Sequence, residues 1–390
     1  MYYFDNSATT LIKPPQVADA VYHAIQSQTI GNPARGSHAP ALQALRQAER
    51  TRMKVAQLFN APDASQVSFT SNATFAFNLL LKSLLNSKDA VITTKNEHNS
   101  VLRPLYQLEK EGLQLDFLAL DNRGQVRLDQ LESLLKENTK AIIINHMSNV
   151  TGQIANLKKV GEFCRNHTLL LIVDAAQSAG VVPIDMVDMH INALCFTGHK
   201  SLYGPQGTGG IVFNHEHLNL ETVFSGGSGN HSYDKEMPQL MPGIFEPGTL
   251  NIHGLAGLEA GLDYVEQQSV PAIQKALQEL TLIFLEQVSF ISSIQVYGCD
   301  VQQVKENPQK QGAIISLNLA GWSSGDLADV LYEDYGICVR SGAHCAPLVH
   351  EHFQTVEKGM VRFSFSSFNT KEEINSAVKA LSELALEGQI

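Results

Sequence analysis

Ala193-Leu-Cys-Phe-Thr-Gly-His-Lys-Ser-Leu-Tyr-Gly-Pro-Gln-Gly-Thr-Gly-Gly210 reads as a short apolar strand ending in Thr-Gly-His-Lys, followed by a glycine-rich turn. A second apolar run, Ile211-Val-Phe213, comes directly after it. Lys200 therefore stands where a strand stops, among apolar and glycine residues. An ammonium group is costly to place there without a reason. One reason is Schiff-base chemistry, because a desolvated lysine with a cationic neighbour has a lowered pKa and attacks carbonyls.

Three plainer readings compete. An exposed turn lysine is the common case. A phosphate-binding Walker loop requires the lysine after its glycines, whereas Lys200 precedes them. A dinucleotide fingerprint requires G-x-G-x-x-G spacing at a helix start, which Gly204 to Gly210 does not supply. The rest of the chain has to decide.

The chain has 390 residues, 44% of them hydrophobic, enough for a substantial core divided between two domains. A formal net charge of -11 with no basic stripe argues against nucleic acid or an anionic membrane as partner. No apolar run approaches the roughly 20 residues of a membrane helix, and Met1 to Asn6 lacks the pattern of a secretory leader. Five scattered cysteines, with no C-x-x-C pair, fit free thiols in a reducing cytoplasm. His344, Cys345, His350 and His352 cluster, but match no closed zinc spacing, so no metal is expected.

The order of elements points to an α/β fold. The spacing predicts helices over 16–25 and 41–59, with a turn-rich loop, Gly31 to His38, between them. Strands then alternate with helices: strands at 66–69, 90–94, 113–120, 140–145, 169–173 and 193–196, helices at 72–85, 100–111, 128–138 and 156–167. Apolar strands separated by helices imply a mainly parallel sheet covered on both faces. A long Gly- and Pro-rich loop spans 226–248. Helices at 254–267 and 273–290 precede strands at 312–319, 337–340 and 360–366 and helices at 325–335 and 371–387. This change of style puts a boundary near residue 250. The expected division is an N-terminal arm, 1–15, a large domain, 16–250, and a small α+β domain, 251–390.

Ligands of such sheets bind beyond the carboxyl ends of the strands. Those ends carry Thr70-Ser-Asn-Ala-Thr74 at a helix start, Glu97-His98-Asn99, Ser148-Asn-Val-Thr-Gly152, Asp174-Ala-Ala-Gln177 and Thr197-Gly-His-Lys200. Any one of them reads as a turn or a helix cap. Together they provide a phosphate cradle, an aromatic platform, an acid and a lysine on one rim. Pyridoxal 5'-phosphate asks for that set.

The same residues carry a family likeness. The chain resembles the class V, fold-type I pyridoxal-phosphate enzymes, and among them the cysteine desulfurases and selenocysteine lyases of the SufS type. The likeness runs from Tyr3-Phe-Asp-Asn-Ser-Ala-Thr-Thr10 to Val361-Arg-Phe-Ser-Phe-Ser-Ser-Phe-Asn369. Its most specific motifs are Val173-Asp-Ala-Ala-Gln177, Thr197-Gly-His-Lys200, Phe245-Glu-Pro-Gly-Thr249 and Arg340-Ser-Gly-Ala-His-Cys-Ala-Pro347.

This resemblance implies the following roles. Lys200 holds the cofactor and moves the Cα proton, and Asp174 pairs with the pyridine nitrogen. His98 stacks on the ring, Gln177 binds the ring hydroxyl, and Asn149 lies near ring and substrate. Ala73, Thr74, Thr197 and His199 receive the phosphate. Thr249 comes from the second subunit of a homodimer. Arg362 receives the substrate carboxylate, with Arg35, His38, Ser7 and Ala8 nearby. Cys345, in a loop with Arg340 and His344, attacks the substrate sulfur and carries a persulfide to a protein acceptor, while alanine leaves.

The phosphate loop departs from the family's usual Gly and Glu, with Asn72 and Phe75 instead, and Asn72 is expected to keep the turn by a left-handed conformation. The substrate is read as cysteine. The alternatives are selenocysteine, a class V transaminase or other lyase, and a non-catalytic sulfur carrier that keeps the fold.

Overall fold

The computed structural model describes residues 1–33, 36–214, 218–229 and 233–387. Strand β1 is Tyr2–Tyr3. The principal sheet is built from β2 (Val67–Thr70), β3 (Ala90–Thr94), β4 (Gln114–Leu118), β5 (Thr139–Asn145), β6 (Leu170–Asp174), β7 (Ala193–Thr197) and β8 (Gly209–Phe213). Their order across the sheet is β2-β8-β7-β6-β5-β3-β4. The neighbours from β7 through β4 run parallel, while β8 is antiparallel to both β2 and β7.

Both faces of this sheet are covered, which is why its strands are apolar throughout. Phe77, Leu80, Leu105 and Ile143 belong to the core on one side, and Val55, Phe59, Ile144 and Leu258 to the core on the other. Helices Ala73–Leu84 and Asn99–Lys110 supply the first side, and Ala39–Phe59 and Ile252–Gln268 the second.

A second sheet, ordered β12-β13-β10-β9, is antiparallel. It comprises β9 (Ile294–Tyr297), β10 (Ile314–Leu319), β12 (Arg340–Gly342) and β13 (Met360–Ser364), while β11 (Ile337–Cys338) pairs in parallel with β1. Its core includes Phe284, Leu317, Phe363 and Leu381, from helices Val270–Val288 and Lys371–Glu387 and the strands beneath them.

The first residues of the chain connect the two sheets. Phe4 is fully buried against Phe363 and Phe365. Asp5 bridges to Ser364, and the Thr10 N–H donates to the His199 carbonyl at 3.2 Å. One short stretch thus touches both the end of β13 and the end of β7.

Several local expectations change. The helix expected over 128–138 is a 3-10 turn, Leu128–Gln130, and a single α turn, Leu131–Leu134. The strand expected at 337–340 is two short strands that join different sheets. Strand β9 was not expected. Its half-buried edge position gives the apolar-polar alternation of Ile294-Gln-Val-Tyr297 without a continuous apolar run.

Candidate active site

The carboxyl ends of the principal sheet open into a cavity of ≈ 280 Å3 lined by Ser7, Ala8, Ala73, Thr74, His98, Asn145, Asn149, Asp174, Gln177, Thr197, His199, Lys200, Arg340 and Arg362, among others. Most of the residues singled out from sequence therefore share one space. Three do not. Arg35 lies outside the described residues. His38 caps the Ala39–Phe59 helix, its Nδ1 accepting from the Ala41 N–H. Thr249 is exposed on a separate groove with Tyr233, Met237 and Leu240.

Asp174 and Lys200 face one another electrostatically. Asp174 ends β6, is buried, and accepts from the Ala176 N–H at 2.8 Å. Burial raises its pKa, while the Ala176 N–H and the Lys200 charge lower it. Burial draws Lys200 down from 10.5 to about 8, opposed by Asp174 and assisted by the guanidinium groups of Arg362 and Arg340. Such a lysine is partly neutral near physiological pH, which a nucleophile or base needs.

His98 is the N-cap of the Asn99–Lys110 helix. Its Nδ1 accepts from the Ser100 N–H at 3.0 Å, so the neutral ring carries its proton on Nε2. Burial, then the Lys200 charge, pushes its pKa to about 4, so the ring is uncharged. His199 is likewise pushed to about 4 by burial and its Nδ1 lies 3.1 Å from Thr9 Oγ1.

At the start of the Ala73–Leu84 helix, Asn72 Oδ1 accepts from the Phe75 N–H at 2.9 Å. Asn72 is extended, with φ -176°, so it works as a side-chain cap and not as a left-handed turn. The cap leaves the first helical N–H groups, those of Ala73 and Thr74, to the cavity, where they suit an anion. Phe75 points away from that task, half-exposed and edge-on to Phe224.

Arg362 is the largest fully buried side chain. Its Nη2 donates to Asp5 Oδ1 at 2.7 Å and its Nη1 to the Asn149 carbonyl at 3.0 Å, while Nε has no partner. The acid that steadies it comes from the third residue of the Tyr3-to-Thr10 motif, a link that distance in sequence conceals. Glu97 was noted only as a neighbour of His98. It is fully buried, accepts from Thr94 Oγ1 and the Asn145 N–H, and burial lifts its pKa to about 8.

Cys345 is not on the wall of this space but is tied to it through Arg340, which is. Arg340 Nη2 donates to its sulfur at 3.6 Å, and its carbonyl accepts from the Asn99 N–H at 2.8 Å. The preceding carbonyl, of His344, accepts from Asn149 Nδ2 at 2.7 Å. His344 and Cys345 both adopt left-handed backbone, φ 51° and 57°, at a cost of about 1 kcal/mol or more each for residues with a Cβ. His344 is not the cation its sequence position invites. Burial, then the Arg362 charge, pushes it to about 3, so the positive charge at the thiol comes from the guanidinium groups of Arg340, in contact with it, and Arg362. Cys164, Cys195 and Cys299 are buried, and burial raises each of their thiol pKa values.

Comparison with known proteins finds relatives over nearly the whole chain. The family model described as Aminotransferase class-V matches residues 2–376. A probable cysteine desulfurase of Methanothermobacter thermautotrophicus is 33% identical over 91% of this chain and 88% of its own length. The cysteine desulfurase IscS of Vibrio campbellii is 31% identical over 97% and 91%. Among solved structures, the apo cysteine desulfurase from Thermococcus onnurineus NA1 superposes with a TM-score of 0.91 at 31% identity, covering 99% of this chain and 95% of that one. The cysteine desulfurase CsdA from Escherichia coli, in an S-sulfonic acid form, gives 0.85 at 26%, covering 99% and 94%. With the match spanning both sheets and every cavity-lining residue named above, the chain belongs to the class V aminotransferase family.

Proposed function

We propose that this protein is a pyridoxal-phosphate-dependent cysteine desulfurase, moving sulfur from L-cysteine onto Cys345 and releasing L-alanine. One observation carries the reading: Arg340, on the wall of the Lys200–Asp174 cavity, donates to a cysteine sulfur at 3.6 Å. Amino-group transfer alone has no use for that thiol. The desulfurase names of the relatives support the same substrate.

The cavity residues fit the cofactor. Thr197 Oγ1, Asn149 Oδ1 and Asn145 Oδ1 are buried on its walls without partners, as polar atoms awaiting a polar ligand would be. The Ala73 and Thr74 N–H groups, with Thr197 and His199, would receive the phosphate. The uncharged His98 ring would pack on the cofactor ring, Asp174 would pair with its nitrogen, and Gln177, whose Nε2 donates to the Ser7 carbonyl at 3.0 Å, would bind its hydroxyl. Held through Lys200, pyridoxal phosphate would supply an electron sink that acidifies the substrate Cα.

The chain's own residues do the rest. Arg362 receives the substrate carboxylate with its unpartnered Nε, held in place by Asp5 and the Asn149 carbonyl. Ser7 and Ala8 close the same side. Lys200, partly neutral, removes the Cα proton. The Cys345 thiolate attacks the substrate sulfur, the S–S bond forms as the C–S bond breaks, and the electron pair stays on carbon, which takes up a proton. Carbon is reduced, sulfur is oxidised, and no outside reductant is consumed. The persulfide then passes to a protein acceptor. Thr249, on its own exposed groove, serves the cavity of the partner in a homodimer. Residues 16–250 bear the cofactor site and residues 251–390 the thiol and Arg362.

The test is the yield from purified holoenzyme given L-cysteine: alanine and protein-bound sulfane sulfur should appear in equal amounts. Cys345→Ser should keep the cofactor's visible band and make neither product. Alanine release from cysteine by Cys345→Ser would overturn the persulfide route, and activity of that variant on selenocysteine alone would identify a selenocysteine lyase.

A further inference from the structure

Behind the cysteine loop lie two buried imidazoles and a hydroxyl that the chemistry above does not use. His344 Nε2 is 3.1 Å from the Arg340 carbonyl, His344 Nδ1 is 3.4 Å from His350 Nε2, and His350 Nδ1 is 2.9 Å from Thr355 Oγ1. All three residues are at most 2% exposed, and the two rings stack at 18°.

Their protons have one consistent arrangement. A carbonyl only accepts, so His344 carries its hydrogen on Nε2 and donates to Arg340. The ring is neutral, since burial pushes it to about 3, and its Nδ1 is therefore bare. His350 must then donate from Nε2, because two bare nitrogens would otherwise face each other at 3.4 Å. Its own Nδ1 is left to accept the Thr355 hydroxyl. The Thr355 hydroxyl could instead donate to the His350 carbonyl at 3.5 Å, but that choice would put the His350 hydrogen on Nδ1 and undo the contact with His344.

We propose that His344, His350 and Thr355 form a one-directional hydrogen-bond relay that positions Cys345 by fixing the backbone of Arg340. The relay ends on the carbonyl of the same residue whose guanidinium donates to the Cys345 sulfur. It also holds the ring of His344, one of the two consecutive residues in left-handed backbone. Asn149, on the cavity wall, and Asn99 fix the carbonyls of His344 and Cys345. The relay holds the His344 ring, so the strained turn is fixed through both backbone and side chain. His344, His350 and Thr355 are positioning residues, since none touches substrate or cofactor. This inference rests on the reading of Cys345 as the sulfur-accepting thiol.

The experiment is iodoacetamide alkylation of the holoenzyme at neutral pH, with modification at Cys345 and Cys338 followed separately by peptide mass spectrometry. His350→Phe keeps the ring's bulk and has no donor for His344. Cys345 alkylation should slow about tenfold, the equivalent of one charge-assisted hydrogen bond to the thiolate. Cys338, part-exposed in the same protein, should react as before. His350→Gln restores a donor and should return the rate to within about twofold of wild type. A purely structural role predicts the opposite sign, because a loosened loop exposes the thiol and speeds alkylation. A Cys345 rate in folded His350→Phe equal to or above wild type overturns the relay. If His350→Phe does not fold, Thr355→Val removes one hydroxyl at constant shape. A slowing of about threefold is then expected, and a wild-type rate overturns the proposal. Should the desulfurase reading fail instead, these rates still differ between the proteins, so the two failures are told apart.

Discussion

Replacing Lys200 by methionine should stabilise the cofactor-free protein at neutral pH, with a gain that fades in alkali. Burial draws the ammonium from 10.5 to about 8. The folded value lies below the unfolded one, so the charged lysine opposes folding. That penalty is fully present below the folded value and disappears as pH rises from about 8 through 10.5. Linkage puts it at about 3 kcal/mol at pH 7 and about 1 kcal/mol at pH 10. Two effects reduce what methionine recovers. Lys200 keeps some exposure toward the cavity, which screens its charge. Asp174 also loses the ammonium that offsets its own burial. A net gain of about 1–2 kcal/mol at pH 7 remains. Above about pH 8 Lys200 is itself mostly neutral in the wild type, so the gain fades toward pH 10. Urea denaturation of cofactor-free wild type and Lys200→Met at the two pH values measures both quantities. A variant no more stable at pH 7, or an advantage that is constant with pH, would refute a buried, pKa-depressed lysine.

Two further perturbations test the cofactor cradle and its support. Asn72→Asp keeps the helix cap and adds a negative charge at a helix N-terminus, so thermal stability of the cofactor-free protein should hold or rise slightly. The same charge repels the phosphate, and a titration should show cofactor binding weakened about tenfold. Glu246 lies in the Phe245-to-Thr249 motif, buried, with Arg52 Nη2 at 2.5 Å and the Phe69 N–H also donating to it. Glu246→Ala leaves the buried Arg52 paired with the half-exposed Glu49, whose Oε1 is 3.2 Å from Arg52 Nε, and chemical denaturation should register a loss of about 3 kcal/mol. An unchanged midpoint would show that solvent reaches Arg52.

The sequence made the principal sheet legible because a sheet covered on both faces needs strands that are apolar at every position. Ala90-Val-Ile-Thr-Thr94 matches its observed strand residue for residue, and Leu169-Leu-Leu-Ile-Val173 is displaced by one. Direction is another matter. Gly209-Gly-Ile-Val-Phe213 would read the same in a parallel or antiparallel strand, and only the short return loop after Lys200 hints at reversal. Leu128 to Asn138 carried helical spacing, but Leu135 turns to extended backbone and ends the helix after one turn. Within the site, residues following strands were visible because the ends of parallel strands gather ligand groups. Asp5 and His350 act through partners 357 and 6 residues away, and nothing in local pattern announces either contact. His344 shows the complementary error. Its position beside Cys345 reads as a cation, whereas burial makes it neutral and leaves that role to Arg340 and Arg362.

The two reactive groups are held by different physical means, and the N-terminal stretch couples them. Lys200 follows a strand whose backbone is locked into the sheet on both sides, so its location needs little further support. Cys345 sits on a strained turn in which Asn99, Asn149 and Arg340 each hold one of its atoms or those of His344. Asn149 is common to the cavity wall, to that turn and, through its carbonyl, to Arg362. Residues 5 to 10 close the circuit. Asp5 pairs with Arg362, the Ser7 carbonyl takes Gln177, and the Thr10 N–H and the Thr9 and Thr10 hydroxyls bond the His199 carbonyl. A displacement of the second sheet would therefore be felt at once by Cys345, by Arg362 and by the cavity wall that Arg362 shares with Asn149 and Ser7.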